Sequence, residues 1–378
     1  MSKWTLGLGG SDHDFSAALM RDCDIRVAIE QERVSRRKHG LALWYESPYA
    51  ESIDYCLNAE GISMSDIDLV VANDLIPARA LSDLKAYEPR EFPHHLCHAA
   101  SAYVMLPARS RAGVLVYDGY GSTKGMVESD PHRNWRETFS FYVFHPNGYE
   151  CIGQTLGAGF VERDEFPIGV TNSIGMLYEL VTAVLGYDLL DAGKTMGLSS
   201  HGVPRYLDVL ERFAVCQEDI SNCFNCATDD PQLMVELERI LFDGRGGFEV
   251  KADLAASIQA LINKTLLHCE QFFHGHQIDY LCIAGGCALN AVANSFLVEH
   301  SRLDVPIVIP PYCDDAGLAF GAFWLDRWER SRSCPCLTFR GSHPARGLSR
   351  PGRDYANEEC RSAVQAFYPK LSIDSAVG

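Results

Sequence analysis

The sequence predicts an α/β protein of two duplicated lobes with the active site between them, and three observations point there. A series of short apolar strands broken by a glycine turn opens the chain at Trp4, and a similar order of signals starts again at Gly113. The length, 378 residues, suffices for two lobes sharing a continuous core. The repeat is one of pattern, not of residues. Two lobes that each open on a β-hairpin and a glycine loop suggest the actin-like ATPase fold, shared by acetate and sugar kinases, heat-shock cognates and actin.

In order, Trp4 to Leu8, Phe15 to Met20 and Ile25 to Ile29 read as strands, separated by Gly9-Gly10 and by Asp22 to Asp24. A helix follows around Tyr49 to Leu57, then a strand over Leu69 to Ala72, and a helix over His94 to Met105 closes the first lobe, assigned to residues 1–110. In the second lobe, residues 111–330, the strands are Val114 to Tyr117, Phe139 to Val143 and Tyr149 to Gly153. Helices are expected at Ile174 to Leu185 and Leu254 to Phe273, then a buried strand Leu281 to Ala284 and a helix from about Leu289. A last strand, Pro306 to Ile309, leads into a helix near Gly317 to Trp328. Residues 331–378, rich in Ser, Pro and Arg, read as a partly ordered tail or the start of a segment that is not completed.

Composition narrows the function. Apolar content of 47% and aromatic content of 10% are those of a globular protein, and there is neither an export signal nor a run of 18 apolar residues. A net charge of −17 argues against a nucleic-acid-binding surface, which needs clustered Lys and Arg. The 14 cysteines lie scattered, several inside apolar runs, and read as reduced thiols of a cytoplasmic enzyme. Cys223 and Cys226 form a CxxC and Cys334 and Cys336 a CxC, without the regular spacing of a zinc module.

The chemistry concentrates in a few segments. His94 and His98, four apart, project from one face of a helix and can share a cation, or are simply two histidines on a polar face; His95 points elsewhere. Asp118 ends an apolar strand in YDGYGS, where Gly119 and Gly121 let backbone N–H groups approach phosphate. Of Asp314 and Asp315, one serves as helix N-cap and the other is free to bind metal. Such His-plus-carboxylate ligation suits Fe, Zn or Mn better than a dedicated Mg site. Gly285 and Gly286, between a buried strand and a helix, bring backbone close to a nucleotide or make a tight turn. Lys194 is a phosphate counter-charge or a solvated residue, and His13 with Asp14 offers a general base or a phosphate contact. Arg33, Arg36, Arg37 and Lys38 form a basic rim for an anionic donor or an exposed strand end.

Together the stretches GLGGSDHDFSAAL, AIEQERVSRRKHG, HHLCHAASAY, YDGYGS, SIGMLYELVTAVLGY, GKTMGLSSHG, IAGGCALNAVAN and PPYCDDAGLAFGA resemble the antibiotic and nodulation-factor O-carbamoyltransferases. Their amino-terminal domain is similar to the transferase that places threonylcarbamoyl on tRNA, which also has the actin-like fold and an HxxxH metal site. The resemblance implies His94, His98, Asp118 and Asp315 as ligands of a divalent metal, Fe(II) ahead of Zn, Mn or Mg. It places His13 and Lys38 in the acceptor and catalytic region, and Gly285, Gly286, Asn290 and Lys194 around an ATP-derived adenylate donor. The implied reaction carries a carbamoyl group from carbamoyl adenylate to a hydroxyl of a small specialised-metabolite acceptor, with no nucleic-acid or membrane partner. The family's carboxyl-terminal domain is not recognisable after Ser331, so a separate small subunit is expected to replace it. Transfer of another activated group, sulfuryl or phosphoryl, from a nucleotide donor is the second expectation, and a non-catalytic nucleotide-binding scaffold the third.

Overall fold

The computed structural model describes residues 3–40, 49–78, 80–107, 109–160, 169–243, 247–331 and 338–339. The first lobe is built from β1 (Trp4–Gly9), β2 (Ser16–Arg21), β3 (Asp24–Glu30), α1 (Gln31–Ser35), α2 (Ala50–Glu60), β4 (Leu69–Asn73), β5 (Arg90–Phe92) and α3 (His94–Val104). The second follows with β6 (Ala112–Tyr117), β7 (Thr123–Val127), β8 (Asp130–His145), β9 (Gly148–Phe160), α4 (Ile174–Val184), α5 (Ala192–Ser199) and α6 (Leu207–Leu210). Then come β10 (Ala214–Cys216), β11 (Phe224–Cys226), α7 (Pro231–Asp243), α8 (Phe248–Glu270), β12 (Tyr280–Ala284), α9 (Ala291–His300), β13 (Ile307–Val308), α10 (Leu318–Ser331) and β14 (Thr338–Phe339). Each lobe contains a mixed sheet. The first runs β14-β3-β2-β1-β4-β5, the second β13-β12-β6-β8-β7 with β9 on β8.

Two helices occupy the layer between the sheets. α3 and α10 share one apolar cluster with Ala18 and Val71 of the first sheet and Val114, Phe144 and Cys282 of the second. α10 thus follows the second lobe in sequence yet lies against the first lobe's sheet. β1 shows how closely. Leu6 and Leu8 pack outward toward α2, while Gly7 and Gly9 face α10, where a Cβ on Gly7 would stand 2.6 Å from the Phe323 ring and one on Gly9 2.6 Å from the Asp315 carbonyl. The glycines that read as a turn are therefore also where a strand lets a helix approach. Between α3 and α10 the same device recurs: a Cβ on Gly321 would meet the Cys97 carbonyl at 1.9 Å.

The expected strands and helices are present, together with further short elements, and three of the differences have a clear physical cause. β8 spans 16 residues rather than five, because its charged first half is held by hydrogen bonds to β7 and β9 on either side instead of by an apolar pattern. β7, mostly exposed, gave no apolar signal. α7 was not expected, although Pro231 at its first position and Leu233, Leu237 and Ile240 on one buried face are helix signals. Of residues 331–378 only Ser331 and β14 are described, and β14 pairs in parallel with β3; Cys334, Cys336 and the rest of the tail lie outside the described residues. Cys223 and Cys226 are buried free thiols.

Because the helix pair tolerates no side chain at Gly321, Gly321→Ala is expected to cost about 1–3 kcal/mol, read as a lowered thermal unfolding midpoint. An unchanged midpoint would show that α3 and α10 are not in this contact.

Candidate metal and nucleotide cleft

The parallel pairs β1/β4 and β6/β12 aim their carboxyl ends at one another across the lobes, the position where α/β sheets bind ligands. Beyond those ends lie Ser11 and His13, Asp118 and Gly119, and Gly286, all lining a cleft of about 280 Å³. Three segments deliver four donors to its floor. His94 and His98 come from the first two turns of α3, Asp118 from the turn after β6, and Asp315 from the turn before α10. His94 Nε2 lies 3.2 Å from His98 Nε2, 3.4 Å from Asp118 Oδ2 and 3.4 Å from Asp315 Oδ1. His98 Nε2 lies 3.3 Å from each of the same carboxylate oxygens. Bonds of about 2.0–2.1 Å to a common ion at tetrahedral angles would separate neighbouring donors by about 3.3 Å. The donor set fits a divalent cation.

The electrostatics of the cluster favour positive charge among the donors. Burial opposes charge on His98, but hydrogen bonds with Asp118 and then Asp315 raise it to about 9. Burial also opposes ionisation of Asp118, and hydrogen bonds from His94 and His98 overcome it and hold this carboxyl well below the usual range. Asn73, locked to Gly10 through both N–H and C=O, places its amide 3.1 Å from His94 Nδ1 and fixes that ring. Asp314 caps the turn by accepting from Ala316 N, which leaves Asp315 as the aspartate in the cluster. His95, as read from the helix, points away and bonds Ser140.

The remaining sequence-named residues separate into those at the cleft and those that build it. His13 lines the cleft with Nδ1 2.7 Å from Asp14 Oδ2; burial opposes its charge, but that bond and then the charge of Asp315 raise it to about 9, so it is cationic at neutral pH. Gly119 and Gly286 also line it. Gly285, at φ +96°, is required by the chain itself, since a Cβ would meet the Tyr117 carbonyl at 2.3 Å. Gly121 is packed under His95 and does not line the cleft. Asn290 lines it while capping α9 through Ala293 N and pairing its amide with Gln259. Lys38 and Lys194 converge on Asp191, at 3.0 and 2.5 Å, so the Lys38 pair spans the two lobes.

Sequence reading missed Asn73, Glu179, Asp191 and His39. Asp14 divides its carboxylate between His13 and His39, a pairing legible only as the adjacency of SDHD and RRKH. The far end of the cleft is apolar, with Met176, Met196, Ile262 and Leu289. No single one of these residues is a motif.

Fold and site together define a two-lobed actin-like protein whose interlobe cleft carries a cluster of four metal-capable donors at its floor and an apolar far end. The family model described as Carbamoyltransferase N-terminus matches residues 5–87 and 79–323, and the chain belongs to that family. An uncharacterized protein of Synechocystis is 26% identical over 99% of this chain and 65% of its own. Nodulation protein NolNO of Sinorhizobium fredii is 26% identical over 85% of this chain and 47% of its own. The chain thus spans about half to two thirds of the length of these curated relatives. The crystal structure of full-length HypF in the phosphate- and nucleotide-bound form covers 86% of this chain and 55% of that one at TM-score 0.55 and 14% identity, which shows the fold. Among the described residues no helix is long and apolar enough to cross a membrane.

Two outcomes are expected of the donor set. Elemental analysis should find about one divalent ion per chain, lost in the His94→Ala, His98→Ala double variant; full metal content in that variant would refute the assignment. An incoming ion must also expel the His98 proton, so its affinity should rise about tenfold per pH unit below 9 and level off above it. Affinity independent of pH from 6 to 9 would place the ion elsewhere.

Proposed function

We propose that this chain transfers a carbamoyl group from carbamoyl adenylate to a hydroxyl of a small acceptor. The observation that carries the reading is the convergence of His94, His98, Asp118 and Asp315 on the floor of a cleft in a member of the carbamoyltransferase family. In the reaction the acceptor oxygen attacks the carbamoyl carbon. A new C–O bond forms, the bond from that carbon to the phosphate oxygen breaks, adenylate leaves with the electron pair, and the proton of the acceptor hydroxyl is released to water. A divalent ion at the four donors, Fe(II) by resemblance, would supply Lewis-acid polarisation of the donor's carbonyl or phosphate oxygen.

The chain's own groups account for binding and orientation. The apolar end receives the adenine ring, and Gly119 and Gly286 leave room for the donor beside Asp118. Of the two roles read for His13 in the sequence, its charge supports the phosphate contact: an imidazolium donates to the leaving phosphate and helps it depart. Lys38 and Lys194, mostly exposed and both paired with Asp191, supply positive charge for the donor phosphate. Donor formation from carbamoyl phosphate and ATP is a separate reaction, outside this cleft. A cytoplasmic setting in specialised metabolism belongs to the same proposal.

The test incubates the chain with synthetic carbamoyl adenylate and a panel of polyhydroxylated acceptors, following adenylate release and acceptor mass. Acceptor-dependent release with gain of a carbamoyl group is expected, and about 100-fold slower in His13→Gln. Release by hydrolysis alone, or gain of a different group, would overturn the reading. Gly286→Val adds atoms where even a Cβ stands 3.0 Å from Asp118 Oδ1, and should weaken binding of an adenylate analogue at least about tenfold. Unchanged affinity by calorimetry would put the nucleotide elsewhere.

A further inference from the structure

Beneath the cleft floor lies a buried carboxylate with no place in the reaction just described. Glu137 in β8 is fully buried, as is His95, the imidazole that turns away from the cleft. Its two oxygens divide their work. Oε2 accepts from Ser122 N at 3.1 Å and from His95 N at 3.3 Å, while Oε1 accepts from Gln154 Nε2 at 2.9 Å and pairs with Lys124 Nζ at 2.7 Å. The His95 N–H is one of the first-turn donors of α3, which a helix cannot satisfy internally. The preceding one, His94 N, goes to Ser122 Oγ at 2.8 Å and to Asp74 Oδ1 at 3.1 Å, and Ser122 Oγ itself donates to Asp74. Pro93, the residue before the helix, gives no side-chain cap. The amino end of α3 is capped entirely from outside.

A second feature ties the same carboxylate to the next ligand. The pairing of β8 with β9 shifts register between Glu137 and Phe139, and bulges of this kind re-aim side chains. At the bulge the Thr138 carbonyl accepts from Asp118 N at 3.1 Å, and the Glu137 carbonyl accepts from Gly121 N at 2.7 Å. One short stretch of β8 thus fixes both the turn bearing Asp118 and the helix end bearing His94 and His98. Gly121 supplies a third, independent sign. A Cβ there would stand 2.5 Å from His95 Cδ2 and 2.8 Å from Glu137 Oε2, so the turn reaches this position only without a side chain.

We propose that Glu137, held by Lys124 and packed under Gly121, is a positioning residue that sets the geometry and affinity of the cation site through α3 and the Asp118 turn. It touches no ligand atom and no reacting group. Its effect passes through backbone, from Oε2 to the first turn of α3 and through the bulge to Asp118. The inference rests on the metal assignment proposed above. Outer partners that orient metal ligands typically change affinity 10–100-fold when removed.

The experiment uses Co(II) as probe with the full chain, reading its visible absorption and its affinity by chelator competition, with thermal midpoints as folding controls. Wild type should bind one Co(II). Glu137→Ala should bind it about 10–100-fold more weakly with a shifted absorption band. Glu137→Gln, which keeps an acceptor for His95 N and Ser122 N, should restore the wild-type band. Gly121→Ala, which presses on Glu137 and His95 without reaching a ligand, should reproduce the Glu137→Ala shift. Should Glu137→Ala fold poorly, Gly121→Ala and Glu137→Gln carry the comparison. Wild-type band and affinity in both Glu137→Ala and Gly121→Ala would overturn the positioning role while leaving the metal site intact. A wild type that binds no Co(II), or binds it equally after His94→Ala, His98→Ala, would overturn both.

Discussion

Two imidazoles and two carboxylates buried around one point need positive charge at that point, and the arrangement of the cleft depends on it. The donor atoms of Asp118 and Asp315 lie within 4.8 Å of one another, where two anions repel by on the order of 3 kcal/mol at an effective dielectric near 20. In the metal-free protein a proton on His98 offsets that repulsion, which is why this buried histidine is raised to about 9 rather than lowered by its burial. A divalent ion held by the four donors would supply the same compensation from the centre, so proton and ion would compete for one place.

The scaffold's irregular features become intelligible from that requirement. Four donors from three segments meet only if α3 and α10 pack closely between the sheets, and glycines at 7, 9 and 321 remove the side chains that would hold them apart. Beyond the shared apolar layer, a few polar contacts also cross between the lobes. Tyr120 donates to Asp12, Ser16 donates to the Ala316 carbonyl, and Lys38 pairs with Asp191 at the rim.

Much of this was legible in the sequence, because the ligands lie in short local patterns. HxxxH gives two donors on one helix face, YDG a carboxylate at a strand end, and DD before a helix one cap and one free carboxylate, of which Asp314 proves to be the cap and Asp315 joins the donor cluster. What stayed hidden depends on contacts distant in sequence. Gly121 looked like a phosphate-approach glycine and proves to be packed under His95, because its neighbour is set by the register of β8 and β9. Lys194 looked like a phosphate counter-charge, and in the structure it shares Asp191 with Lys38. The His13–Asp14–His39 arrangement joins two loops whose residues carry positive φ at Asp14 and His39, a conformation no composition signal announces. The length of β8 was missed because hydrogen bonding, not hydrophobic alternation, sustains its charged half.

The central claim is that the four donors hold one ion between α3 and the turns bearing Asp118 and Asp315. Anomalous diffraction from crystals of the protein, recorded on either side of the absorption edge of the metal found in solution, tests it most directly. The account predicts a single strong peak lying about 2 Å from His94 Nε2, His98 Nε2 and a carboxylate oxygen of each aspartate. A peak bound elsewhere, or none in protein that carries the metal, would contradict it.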